Sequence, residues 1–102
     1  MTSEPAGVFV LVEGVMKPGR RPEALAWWEA NLPDTRGKDG CREAYVYLDQ
    51  DDPDRAIVFE RWDTRAQHEE YARWRQQQPS RGEFADLLAQ PLVVRYLDAT
   101  DA

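Results

Sequence analysis

The stretch from Arg55 to Arg75 limits the fold most tightly, because its pattern changes from that of a strand to that of a helix at one point. Residues 55–62 are rich in side chains that favour β-structure, and an acidic, proline-containing turn precedes them. Thr64 and Gln67 match a capping box, in which a hydroxyl accepts a helix N–H and an amide reaches back to the cap. We therefore predict a strand that ends at Trp62 and a helix that begins at Thr64.

One face of this predicted helix carries chemically versatile side chains. Helical spacing places His68, Tyr71 and Arg75 on that face. Trp74 flanks it. Trp62 at the strand end, with His68 and Tyr71 on the inner face of the helix, is expected to wall a site for a flat aromatic ligand.

The first part of the chain predicts a strand and a helix. Residues 8–16 are apolar at nearly every position, which is typical of a strand buried on both faces. Pro22 suits the first turn of the helix that follows. Its expected apolar stripe consists of Leu25, Trp28 and Leu32. We expect Pro33 to kink or stop this helix and residues 36–40 to form a polar loop.

Residues 41–49 predict a second strand by their alternating pattern. One predicted face consists of Ala44, Val46 and Leu48. The other consists of Glu43, Tyr45 and Tyr47. Residues 49–54 then form a hairpin turn into the strand over residues 55–62.

The last part of the chain predicts a short helix and a final strand. The second helix is expected to end near Gln77, ahead of a proline. Ser80 and Glu83 match another capping box, which opens a short helix that carries Phe84. Residues 92–97 predict the last strand.

This order of elements, βαββαβ, indicates an α+β sandwich of the ferredoxin-like type with an antiparallel sheet. We assign residues 8–98 to one domain, residues 1–7 to a loose N-terminal tail and residues 99–102 to a C-terminal tail. Right-handed crossovers place both main helices on one face of the sheet. The strands are apolar or aromatic on the other face too, so we expect a homodimer that stacks sheet against sheet.

The composition of the chain disfavours several classes of function. The net charge of −6 disfavours binding to nucleic acid. One cysteine and one histidine disfavour a structural metal site, and the lone cysteine fits a reducing cytoplasm. No apolar run is long enough for a membrane span, and the first residues lack the pattern of a secretion signal. The glycines form no flavin or nicotinamide fingerprint, so no cofactor is expected.

Several segments resemble the antibiotic biosynthesis monooxygenase superfamily of dimeric α/β-barrel proteins, and the resemblance extends from Val8 to about Asp98. The segments that carry it are VMKPG (15–19), DGC (39–41), DPD (52–54), FERWDT (59–64), YARWR (71–75) and residues 91–96. The resemblance implies a pocket between sheet and helices in each subunit. It also implies oxidation of hydroquinones or anthrone-type phenols by O₂, often without a cofactor.

The residue types of the anthrone-oxidising members match only in part. Trp62 matches their Trp, but Val58 stands where they carry an Asn and His68 where they carry a Tyr. Arg75 and Arg81 are candidates for their Arg by chemistry alone. The haem-degrading branch is disfavoured, since its Asn and its second-helix His have no counterparts here.

We consequently predict His68 as the general base and Trp62 as the catalytic partner that polarises or stacks the substrate. Tyr71 and Arg75 would bind substrate oxygens, and Glu60 would be structural or a second base in the pocket. The expected walls are Trp28, Trp74 and Phe84. The alternative interpretation of Trp62, Tyr71, Trp28 and Trp74 is as core residues. That of His68 is a structural histidine that bonds a carbonyl or reaches solvent, and that of Arg75 is a solvated helix face.

The first hypothesis is a cofactor-independent oxygenase of a small phenolic, quinol or polyketide-like aromatic molecule. A second is a non-oxidative cyclase, isomerase or decarboxylase that uses the same base and walls. A third is a dimeric small-molecule binder without catalysis.

Overall fold

The computed structural model describes residues 7–102, which form a four-stranded antiparallel sheet and three helices. The elements are β1 (Val8–Val15), α1 (Arg21–Arg36), β2 (Cys41–Leu48), β3 (Arg55–Trp62), α2 (Arg65–Gln76), α3 (Ser80–Ala85) and β4 (Val93–Asp98). The strand order is β2-β3-β1-β4. The predicted ferredoxin-like α+β fold is confirmed. The predicted tail over residues 1–7 lies, but for Gly7, outside the described residues.

Strand β3 is the central strand that positions the site. Its side chains alternate, so Ala56, Val58, Glu60 and Trp62 are buried on one face. Register places Glu60 between two small apolar neighbours, Val10 on β1 and Ala44 on β2. Both neighbours are fully buried. A carboxyl side chain therefore lies inside the core, which few folds tolerate without a partner.

Strand β1 is buried on one face only within this chain, and burial of its second face stays a prediction that depends on the expected homodimer. Val10 and Val12 are buried against the helices, whereas Phe9 and Leu11, on the opposite face, are only half-buried. The unusually apolar pattern therefore reflects one core face and one partly exposed face within this chain. The strand ends at Val15.

Helix α1 continues past Pro33 to Arg36, so it does not stop at this proline, which was one of the two predicted outcomes. The missing N–H costs one bond, but the last turn is held by tertiary contacts. Thr35 is buried and bonds to α2, and Arg36 Nε donates to the carbonyl of Ala44 at 2.9 Å. The buried stripe is Ala24, Trp28, Leu32 and Thr35. Leu25, predicted on the stripe, is half-buried.

The two predicted capping boxes have different outcomes. Thr64 caps α2, since its Oγ1 accepts the N–H of Gln67 at 3.2 Å. Gln67 does not close the box as expected, because its Oε1 accepts the Thr64 hydroxyl. Ser80 does not cap α3, so that prediction was wrong. Its hydroxyl instead contacts Asn31 Oδ1 of α1.

The sheet face away from the helices is partly apolar and exposed. Tyr45 and Tyr47 of β2 are 51% and 59% exposed, and Val93 and Leu97 of β4 are each 40% exposed. Half-buried Phe9 and Phe59 lie between them, with ring centroids 5.6 Å apart. We call this surface the outer sheet face.

Candidate functional site

A cavity of about 110 Å³ lies between the inner sheet face and the three helices. Its walls are mostly aromatic and aliphatic, with four ionisable side chains other than tyrosine among them. It is lined by Val12, Trp27, Trp28, Leu32, Val58, Glu60, His68, Tyr71, Ala72, Arg75, Gln76, Arg81, Phe84, Leu92 and Val94. Val94 of β4 is 43% exposed, so the cavity wall meets solvent beside this edge strand.

Glu60 is the acid in this cavity, and it is 4% exposed. Its Oε1 accepts the indole N–H of Trp62 at 2.7 Å. Burial raises the pKa of Glu60 from 4.5 to about 7, while the hydrogen bond from Trp62 and the charge of Arg75 act in the opposite direction. The carboxyl group therefore changes protonation state near neutral pH, as a general base for a weak acid requires.

His68 lies beside Glu60 and is 3% exposed. Its Nδ1 lies 2.8 Å from the hydroxyl of Tyr96, and its Nε2 lies 3.7 Å from Glu60 Oε1. Burial lowers the pKa of His68 from 6.5 to about 4. The imidazole is consequently neutral at pH 7, as predicted, but both nitrogens already face protein groups and its basicity is low.

Trp62 does not line the cavity, so its predicted place in the wall was wrong. The indole is completely buried and packs against His68 and Tyr71, with ring centroids 5.4 and 5.3 Å away. Its N–H is already taken by Glu60. Because Trp62 follows Glu60 by two residues on the same strand face, it lies behind the carboxyl group and holds it in place.

Tyr71 and Arg75 line the cavity but are tied to helix α1. The Tyr71 hydroxyl lies 2.7 Å from Thr35 Oγ1 and accepts Arg75 Nε at 3.1 Å. Arg75 Nη2 donates to the carbonyl of Asn31 at 3.0 Å and to Thr35 Oγ1 at 3.1 Å. Tyr71 therefore offers a ligand its ring rather than a free hydroxyl.

The predicted aromatic walls are only partly in the cavity. Trp28 and Phe84 line it and contact each other at 5.0 Å between ring centroids. Trp74 does not, contrary to prediction, and its half-buried ring instead lies beneath Lys38 Nζ, 3.5 Å from the centroid. Trp27, which was not predicted, takes a place in the wall.

Other missed residues include Tyr96, the hydrogen-bond partner of His68. Register places Tyr96 and Glu60 on opposite sides of Val10, so strand alternation in residues 93–98 was the signal for it. Trp27 gave no such signal, because it lies off the predicted stripe. Its indole donates to the carbonyl of Ser80 at 3.0 Å, which turns the ring toward α3.

Neither a candidate metal site nor a candidate membrane span is found among residues 7–102. Within that range no group of three or more His, Cys, Asp or Glu side chains could hold a metal ion. The same residues contain no helix long and apolar enough to cross a bilayer. Cys41 is half-buried, and burial raises the pKa of its thiol to about 11, which favours an unreactive cysteine.

Fold and site together define a small α+β sandwich protein with a buried carboxyl–imidazole pair in an aromatic cavity. The family model of the antibiotic biosynthesis monooxygenases matches residues 7–79, and the chain belongs to that family. A comparison with curated proteins finds no match.

Solved structures agree on the fold. The protein Rv0793 from Mycobacterium tuberculosis is similar at 27% identity and a TM-score of 0.75, over 93% of this chain and 96% of that one. An antibiotic biosynthesis monooxygenase is similar at 20% identity and a TM-score of 0.79, over 91% and 98%. PA3566 from Pseudomonas aeruginosa is similar at 16% identity and a TM-score of 0.76, over 97% and 99%.

The ionisations of Glu60 and His68 should give opposite pH dependences of stability. In the folded protein the pKa of Glu60 is raised from 4.5 to about 7. The contribution of Glu60 to the free energy of unfolding therefore falls as pH rises between those values. His68 has a folded pKa lowered from 6.5 to about 4, so its contribution falls as pH drops through that range. As pH rises from 4.5 to 7, the free energy of unfolding of Glu60→Gln should therefore increase relative to that of wild type. As pH rises from 4 to 6.5, that of His68→Gln should decrease relative to wild type.

Urea unfolding of the three proteins at half-unit pH steps measures these differences. Each variant serves as the control for the other, since all remaining ionisable groups are shared. Difference curves that are flat, or that slope in the same direction, would show that the two groups are not buried as a neutral pair.

Proposed function

We propose that this protein oxidises a small phenolic or hydroquinone-type aromatic molecule with O₂, using Glu60 as the general base. The observation that carries the proposal is a carboxyl group, buried in an aromatic cavity, whose pKa is raised to about 7. Membership of the antibiotic biosynthesis monooxygenase family supports the oxidative chemistry. At about 110 Å³ the cavity is smaller than the roughly 150 Å³ of apolar space that holds benzene, so a substrate ring would extend into the opening beside Val94.

In the proposed reaction, the ionised Glu60 takes a proton from the phenol or enol of the substrate. The resulting anion passes one electron to O₂, and the two radicals combine to form a carbon–oxygen bond. The peroxide takes up the proton from Glu60. Cleavage of its O–O bond with loss of the remaining C–H hydrogen releases water and leaves a quinone carbonyl. The net change is the gain of one oxygen at the reacting carbon and the loss of two hydrogens as water, one from the C–H and one from the phenol O–H.

His68 acts in this proposal as a positioning residue. If Tyr96 donates to Nδ1, the proton of the neutral imidazole resides on Nε2, which faces Glu60 Oε1. That proton and the indole N–H of Trp62 would favour the ionised carboxylate once it forms. Base and supporting donors would therefore be provided by β3, α2 and β4 together.

A non-oxidative cyclase or isomerase remains the second candidate, because the same base and walls would serve an enolisation. Oxygen consumption during turnover distinguishes the two. A binding protein without catalysis is the third candidate, and it predicts affinity for aromatic ligands without any product.

Turnover of a hydroquinone should rise with pH and reach half its maximum near pH 7, since Glu60 must be ionised. Glu60→Gln should lower kcat by about 100-fold to 10,000-fold, the usual share of a positioned base. Oxygen uptake and product absorbance across pH 5–9 measure both effects.

His68→Gln is the matched control for this experiment. It should lower kcat by less than about 10-fold and keep a rising pH profile, because the base is still present. If His68→Gln abolishes turnover while Glu60→Gln preserves it, the assignment of the base to Glu60 is wrong.

We also propose that two copies of the chain associate through the outer sheet face. Tyr45, Tyr47, Val93 and Leu97 expose apolar surface there, as described above. A stable dimer would bury more than about 1,200 Å² in total. Replacing Tyr47 with Asp should place an unpaired charge in that interface and shift the protein toward monomer.

Sedimentation velocity at micromolar concentration tests the dimer. We expect a dimer for wild type and a folded monomer for Tyr47→Asp, with Tyr45→Phe as a conservative control that stays dimeric. A monomeric wild-type protein with a folded circular dichroism spectrum would contradict the proposal.

A further inference from the structure

Arg81 presents an unsatisfied hydrogen-bond donor at the cavity. Within the described part of the chain, its Nη1 is buried and has no hydrogen-bond partner. The guanidinium lies 5.3 Å from the centroid of the Phe84 ring, and both residues line the cavity. A buried donor without an acceptor costs free energy, so such an atom in a cavity wall calls for an explanation.

The guanidinium of Arg81 has no ionised carboxylate as a partner among the described residues of the cavity wall at mildly acidic pH. Among the described residues that line the cavity, Glu60 is the only carboxylic acid, and burial keeps it largely protonated below pH 7. Arg75 is the second guanidinium in the wall, and the pKa of Arg81 is lowered by burial first and also by the charge of Arg75. At mildly acidic pH the cavity therefore carries two positive charges and a neutral acid.

The Glu60–His68 pair is separated along helix α2 from the guanidinium groups of Arg75 and Arg81. His68, beside Glu60, and Arg75 are seven residues apart, which corresponds to about 10 Å along the helix axis. Arg81 follows shortly after this helix, on α3. The Tyr71 ring contacts both groups, with its centroid 5.8 Å from that of His68 and 5.5 Å from Arg75 Cζ.

We propose that the aromatic substrate carries a carboxylate and that Arg81, supported by the charge of Arg75, binds it while the phenolic oxygen meets Glu60. This inference rests on the proposed function only in taking the phenolic end of the substrate as the end that reacts. A planar carboxylate matches the planar donors of a guanidinium, and the fit would give Nη1 the acceptor that it lacks. The substrate class is a small hydroxyaryl carboxylate.

The direct test compares 2,5-dihydroxybenzoate with 2,5-dihydroxybenzamide, which has a similar shape but no charge. Binding is measured without O₂ at pH 6 by titration calorimetry, so that turnover plays no part. Wild type should bind the carboxylate at least about tenfold more tightly than the amide, the size expected for a charge-assisted hydrogen bond. Arg81→Met should reduce that ratio to about one.

Arg73→Met is the matched control, since Arg73 is exposed on α2 and should keep the wild-type ratio. Arg81→Lys should keep part of it, because the charge remains while the planar fork is lost. Equal affinity of wild type for both ligands, an unchanged ratio in Arg81→Met, or no binding of either ligand would overturn the proposal.

Two further measurements separate this proposal from its alternatives. Without ligand, Arg81→Met should melt at the same temperature as wild type or a few degrees higher, because it removes an unsatisfied donor. A clear fall in melting temperature would indicate a purely structural arginine and overturn the proposal. Glu60→Gln should lose turnover yet keep the binding ratio, so failure of the base assignment and failure of the carboxylate site give different results.

Discussion

The hydrogen bond from the Trp62 indole to the Glu60 carboxyl is the interaction on which the site depends. Glu60 lies between Val10 and Ala44, which are both fully buried, so an ionised carboxylate there would lack solvent. The indole N–H gives it one fixed partner at 2.7 Å. The same ring packs against His68 and Tyr71 and so connects β3 to α2. One tryptophan thereby sets both the packing of the helix and the chemistry of the acid.

Burial acts on the two ionisable partners in opposite directions. It raises the pKa of Glu60 and lowers that of His68, so the neutral form of each is the stable one in the folded protein at mildly acidic pH. A neutral pair avoids the desolvation cost of a buried ion pair, which often exceeds the attraction between the charges. The arrangement leaves a carboxyl group that ionises near neutral pH inside an aromatic cavity, which suits proton abstraction from a phenol.

The fold could be predicted from sequence because it depends on local periods, whereas the roles in the site depend on non-local neighbours. The β-favouring residues over 55–62 and the Thr64 cap predicted β3 and α2, and helical spacing brought His68, Tyr71 and Arg75 to the cavity. Sequence could not show that Glu60 would be enclosed by β1 and β2, or that Tyr96 would occupy His68 Nδ1. Pro33 and Ser80 failed as predicted boundaries because contacts between α1, α2 and α3 decided those ends.

Titration of the Glu60 side-chain carbon by ¹³C NMR tests the central claim most directly, because it reports the ionisation of this one carboxyl group. Glu60→Gln assigns the resonance, and Trp62→Phe removes the indole donor while keeping an aromatic ring. We expect an inflection near pH 7 in wild type and a higher one in Trp62→Phe, since the hydrogen bond from Trp62 lowers the pKa of Glu60. An inflection near 4.5, the ordinary value for glutamate, in both proteins would show that burial does not raise the pKa of Glu60.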